Sequence, residues 1–181
     1  MSNPRQINSR IIYTNPWFSC FQDRIRRDDN TEGDYFYLKS LGASMVIPIT
    51  EDGRLVLVRQ YRYLKDKASI EFPCGGMLPG EAPSETIKRE LQEETGYQAG
   101  ELIKLSEFEP VNGYCLDNTC LYVATDLKKV AEPLPEEGFF LEVMIRRADE
   151  FEEMIKNGEI WCGQTLASWA IARDHVKNLM S

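Results

Sequence analysis

Apolar runs broken by turn-forming clusters set the pattern along the chain. WFSCFQDRIRR (17–27) and DYFYLKSL (34–41), rich in aromatic residues, flank the turn-rich DDNTEG, which predicts a hairpin over 17–41. Such a ribbon is marginal alone and needs a partner surface. ASMVIPI (43–49) and RLVLVRQYRY (54–63) flank TEDG and predict a second hairpin. IEFPCGGMLPGEAP (70–83) reads as a glycine- and proline-rich loop. Pro83 suits a first helical turn and Gly96 a helix stop, so a helix is predicted over 83–95. KLSEFEPV (104–111) and TCLYVATDL (119–127) read as strands around the turn NGYCLDN. KKVAEPLPEEG (128–138) is then a loop, FFLEVMIRR (139–147) a strand, and ADEFEEMIKN (148–157) a helix ended by Gly158. TLASWAIARDHVKNLM (165–180) is an amphipathic helix whose apolar stripe belongs to the core. Helices and a mixed sheet around one core place the chain in the α/β or α+β class.

Composition narrows the functional classes. A chain of 181 residues suits one substantial core with a small appendage. A formal net charge of -8 argues against nucleic-acid and anionic-membrane partners, so an anionic substrate would need local attraction. Five cysteines without a C-x-x-C pair, and a single histidine (His175), speak against zinc. MSNPRQINSR lacks the apolar segment of a signal peptide, and no apolar run reaches membrane-spanning length. The expectation is a reduced, cytoplasmic protein.

The chemistry concentrates in RELQEETGY (89–97). Glu90, Glu93 and Glu94 crowd a helix C-terminus, where the backbone already carries partial negative charge. At about 100° per residue the three fall on one face, beside Ile87 and Leu91, which would anchor the helix in the core. Taken alone, such a run reads as a solvated acidic face. With mutual repulsion at a core edge, it reads as a site for a hard divalent cation held by oxygen ligands. Mg²⁺ suits a site shared with waters and a substrate phosphate, and Mn²⁺ could substitute.

The surrounding residues favour the metal. Gly75, Glu81, Arg89, Glu90, Glu93, Glu94 and Gly96, followed by the bulky Tyr97, stand at the spacing of the Nudix box, and the segment resembles that of the Nudix hydrolase superfamily. The resemblance implies an α/β/α sandwich with a mixed sheet, here carrying an N-terminal antiparallel β subdomain. It divides the chain into residues 1–42, a dimerising hairpin subdomain, and 43–181, the hydrolase domain. It also implies metal binding by Glu90, Glu93, Glu94 and the Cys74 carbonyl, with Arg89 orienting a catalytic glutamate and Glu81 supporting it. VRQYR (58–62) and IEFPCGG (70–76) resemble the ADP-ribose and nucleotide-sugar pyrophosphatase branch. That implies substrate contacts from Arg59, Arg62, Glu71 and Pro110, and a homodimer.

One departure concerns the catalytic base. Many members carry a loop glutamate in an acid-glycine-glutamate-phenylalanine pattern, and Phe139 stands at that position here. The base is then Glu136 or Glu137 from a shifted loop, or a box glutamate such as Glu93. Trp17, Phe18 and Tyr37 are candidates to stack on adenine, although strand core is the commoner role for such residues. The function implied is Mg²⁺-dependent hydrolysis of ADP-ribose or a related nucleotide sugar to AMP and a sugar phosphate. The alternatives are another NDP-linked substrate, such as a dinucleoside polyphosphate, and a non-catalytic nucleotide sensor.

Overall fold

A computed structural model describes residues 3–134 and 140–180. Its order is β1 (Arg5–Thr14), β2 (Ser19–Arg26), β3 (Glu32–Lys39), β4 (Ala43–Pro48), β5 (Leu55–Arg62) and, after a 3₁₀ turn at Tyr63–Lys65, β6 (Lys67–Glu71) and β7 (Cys74–Gly76). Then follow α1 (Pro83–Thr95), β8 (Tyr97–Phe108), β9 (Cys115–Leu116), β10 (Thr119–Lys129), β11 (Leu141–Arg146), α2 (Ala148–Lys156) and α3 (Gly163–Leu179).

The central sheet runs β7-β4-β10-β8, with β4 and β10 parallel and the other pairs antiparallel. Strand alternation sorts its side chains into two cores. Val46 of β4 and Cys120, Tyr122 and Ala124 of β10 meet Ile87 and Leu91 of α1 on one face. Met45 and Ile47, with Leu121 and Val123, point to the other, where Phe72, Phe151 and Trp169 pack as a cluster of rings. That second core also takes Leu55 and Leu57 from a separate sheet, β11-β5-β6. Helices thus cover both sides of the sheets, giving the α/β class, with Ala172 and Val176 of α3 in the core as the apolar stripe requires.

Three expectations change. The second hairpin parts after a single antiparallel bridge between Ile49 and Leu55, because both edges of β4 are occupied by β7 and β10 and β5 pairs instead with β6 and β11. The segment 70–83 is less loop than its glycines suggest: Ile70 and Glu71 end β6, and Cys74–Gly76 form β7 against β4. The N-terminal ribbon has three antiparallel strands, not two, because β1 pairs along the length of β2. A fourth strand, β9, adds in parallel to β3. The amide of Leu38 donates to the Tyr114 carbonyl at 2.9 Å, and the Tyr35 hydroxyl donates to the Gly113 carbonyl, so the ribbon is tied to the turn after β8.

Candidate active site

Helix α1 is fixed at both ends before it presents any chemistry. Pro83 opens it, Ser44 Oγ donates to the Pro83 carbonyl at 2.9 Å, and the Ala82 amide donates to the Glu85 carboxylate at 2.9 Å. Gly96 closes it at φ 73°, a left-handed conformation that a β-carbon disfavours. The Lys129 ammonium donates to the Thr95 carbonyl at 3.0 Å, supplying positive charge at the helix end where three glutamates gather.

Arg89 is the hub of the cluster. Its Nε and Nη2 donate to the two Glu81 oxygens at 3.0 and 3.1 Å, Nη2 also to the Gly76 carbonyl at 3.3 Å, and Nη1 to Glu90 at 2.6 Å and Glu93 at 3.1 Å. Glu81 further accepts from the Leu78 amide and the Thr86 hydroxyl. The Arg89 guanidinium and these donors hold the Glu81 carboxyl down at about 2. Arg89 therefore clamps the loop before α1 to the acidic face of α1.

Strand β7 closes the other side of the cluster. The Cys74 amide donates to Glu94 at 3.0 Å. A β-carbon at Gly75 would overlap the Glu90 carboxyl, so only glycine lets that carboxyl lie against the backbone. Burial, with Glu90 and Glu71 adding repulsion, pushes the Glu94 carboxyl up to about 8 against the pull of the Cys74 amide. Burial also raises Glu90, against the pull of Arg89.

These groups line one cleft of about 920 Å³. It brings together Cys74, Arg89, Glu90, Glu93 and Glu94 with Arg62 and Glu71 from the neighbouring sheet. Arg62 and Glu71 are joined by paired hydrogen bonds, Nε to Oε1 at 2.8 Å and Nη2 to Oε2, with Glu71 buried beneath. The Thr165 hydroxyl accepts from the Phe72 amide at 3.3 Å, and Gln164 donates to Thr119 at 2.9 Å, so the start of α3 is pinned as the far wall.

Other predicted residues lie apart. Arg59 is paired with Glu142 at 3.2 Å and sits over the Phe140 ring, at the rim and outside the lining. Pro110 occupies the turn after β8, also outside the lining. Glu136, Glu137 and Phe139 lie outside the described residues. Trp17, Phe18 and Tyr37 belong to the N-terminal sheet and its turn and do not line this cleft; Trp17 is exposed, and Tyr37 stacks on Phe21. Sequence reasoning passed over Tyr63, Leu64, Leu134, Phe140 and Trp161, all of which line the cleft. Only a topology placing the β5–β6 turn opposite the start of α3 assembles them.

Among the described residues no group of three or more acidic, cysteine or histidine side chains already surrounds a point a metal ion could occupy. The donor set nonetheless fits a hard divalent cation. Glu94 forms no ion pair among the described residues, and its carboxylate accepts there from the Cys74 amide. Oxygen donors of this kind match Mg²⁺ or Mn²⁺ rather than a softer metal.

Comparison with known proteins gives the family and the fold. A family profile described as the NUDIX domain matches residues 39–163, and one described as the nucleoside diphosphate sugar hydrolase N-terminal domain matches residues 5–38. An ADP-ribose pyrophosphatase of Bacillus subtilis is 30% identical over 129 residues, covering 71% of this chain and 70% of its own. A methanol dehydrogenase activator of Bacillus methanolicus is 35% identical over 126 residues, covering 69% of this chain and 68% of its own. A crystal structure described as that of ADP compounds hydrolase superposes with a TM-score of 0.85 at 20% identity, over 99% of this chain and 97% of its own, and shares the fold.

Proposed function

The chain belongs to the NUDIX family of hydrolases, and from that premise we propose that it is an Mg²⁺-dependent pyrophosphatase cleaving the diphosphate of ADP-ribose or a related nucleotide sugar. The products are AMP and a sugar phosphate. One observation carries this reading: three carboxylates and a buried-anchored arginine share a single cleft large enough for a nucleotide sugar. Net charge repels an anionic substrate, so Arg62 supplies the attraction locally, with its Nη1 left unused by Glu71.

Glu90, Glu93, Glu94 and the Cys74 carbonyl would hold the cation, which, when bound, neutralises the diphosphate and lowers the pKa of a water. Arg62 orients a phosphate oxygen, and Glu71 holds Arg62 in place. Arg89, itself fixed by Glu81, aims Glu90 and Glu93. Glu93 is the most exposed of the three box glutamates and has room to accept a proton from water; Glu136 and Glu137 are the other candidates for that role. Single glutamine substitutions at the three identify the base by the largest fall in kcat, since general-base catalysis contributes about 10²–10⁴-fold.

Arg59 contributes at the rim and Pro110 from the turn after β8, residues 1–42 form the dimerising subdomain ahead of the hydrolase domain 43–181, and the five free thiols suit a reduced cytoplasmic protein. AMP release from a panel of ADP-ribose, nucleotide sugars and dinucleoside polyphosphates, with and without Mg²⁺, tests the reading. Binding without hydrolysis across the panel would leave the sensor alternative standing and remove this one.

A further inference from the structure

The cleft has two kinds of lining. One is the acidic cluster with Arg62 and Glu71. The other is apolar and open: Leu64 is 91% exposed, Tyr63 78%, Leu134 72% and Phe140 53%, and all four line the same cleft. Large apolar side chains left in water together on a concave surface mark a ligand site. Trp161 stands on this cleft in the loop between α2 and α3, with the Lys67 ammonium over its ring at 4.2 Å from the centroid.

The backbone on both sides of the ring is held. Ile160, immediately before it, is buried, and its amide donates to the Met154 carbonyl at 3.3 Å. Cys162, immediately after, accepts the first helical hydrogen bond of α3 from Leu166 at 3.0 Å. Lys67 attracts the ring by a cation–π contact on one face. Trp161 therefore brings an aromatic plane on an anchored backbone into the cleft that also holds Arg62 and the box glutamates.

We infer that Trp161 is the stacking platform for the nucleobase of the substrate, with Tyr63 and Leu64 of the turn between β5 and β6 excluding water around it. This rests on the nucleotide-sugar reading above and adds a residue that sets base affinity. Base–aromatic stacking is tolerant of base identity, so the platform favours any purine or pyrimidine over a substrate without a base. A tryptophan adds the largest such surface of any side chain.

The test uses the full chain with Mg²⁺ and two probes that differ only in the base, AMP and ribose 5-phosphate, measured by titration calorimetry. Trp161→Ala weakens AMP about 5-fold or more, within the range measured for base–aromatic stacking, and leaves ribose 5-phosphate unchanged. Trp161→Phe restores most of the AMP affinity. In turnover of ADP-ribose, Trp161→Ala raises KM while kcat stays within about threefold, since the ring acts on binding rather than on the reacting atoms. AMP affinity equal to wild type in Trp161→Ala, or equal weakening of both probes, would overturn the inference. Product binding needs no turnover: a protein that binds AMP through Trp161 yet cleaves no nucleotide sugar loses the proposed activity and keeps this site.

Discussion

The Glu90 carboxyl occupies the space that a β-carbon on residue 75 would fill. Glycine at this position is thus a condition of where the carboxylate sits, independent of backbone conformation. Gly75→Ala drives the Glu90 side chain away from β7 and from the Arg89 Nη1 donor 2.6 Å from it. Turnover is expected to fall at least 100-fold, the scale of losing one preorganised electrostatic contact. Far-ultraviolet circular dichroism should stay that of the parent, because β7 is short and lies at the edge of its sheet. Kinetics of the variant beside its spectrum check both halves.

Glu94 is expected to couple the proposed metal site to pH. In the metal-free protein its carboxyl is raised to about 8 by burial, above the ordinary 4.5 that it regains on unfolding. The folded state therefore holds a proton that the unfolded chain releases. The stability this contributes is full below pH 4.5 and is lost as pH rises toward 8. With a chelator present, Tm of the wild type should fall across that window, and Glu94→Gln should flatten the fall and melt higher at pH 8. Adding Mg²⁺ should reverse the order, stabilising the wild type only, while the variant loses at least about 100-fold in kcat. Parallel melting profiles for the two proteins in chelator would contradict this.

The sequence marks Arg62 and Glu71 as expected substrate contacts, but not as a pair. Glu71 is 3% exposed, so removing Arg62 leaves a buried carboxylate without its partner. Arg62→Met is expected to cost about 1–3 kcal/mol in urea unfolding, discounted because the arginine itself is partly exposed. The double variant Arg62→Met/Glu71→Gln should recover part of that loss, although neither protein regains activity. A double variant as unstable as the sum of the single ones would mean that the pair is not coupled.

What the sequence revealed follows from how local each signal is. The limits of α1 are set by Pro83 and Gly96, and the acidic cluster by spacing within one helix, so both could be read directly. β1 could not: its residues are exposed along its whole length, so no buried face imposes a period, and only Ile7, Ile11, Ile12 and Tyr13 hinted at a strand. The parting of β4 from β5 depends on neighbours far along the chain, and turn residues at Thr50–Gly53 carry no information about them. The apolar lining of the cleft was hidden for the same reason, since Tyr63, Leu134 and Trp161 come to one cleft only through the fold.

The N-terminal sheet supplies the last prediction. β1 is its edge strand, with its outer backbone edge unpaired among the described residues and Ile7, Ile11, Ile12 and Tyr13 exposed; Trp17 and Phe36 extend the apolar surface. An edge and face of this kind invite another chain unless covered. The expected outcome is that a second copy covers them in an isologous dimer, in which the same strands meet across a two-fold axis. Deleting residues 1–41 is a blunt probe, because it also strips hydrogen-bond partners from the turn at Gly113–Leu116. Ile11→Arg with Trp17→Asp places charge on the surface while sparing those bonds and every box residue. Light scattering at micromolar concentration should give twice the chain mass for the parent and a monomer for the double variant, with KM raised in the monomer. A fully active parent monomer would refute the dimer, and a variant that remains dimeric would move the interface elsewhere.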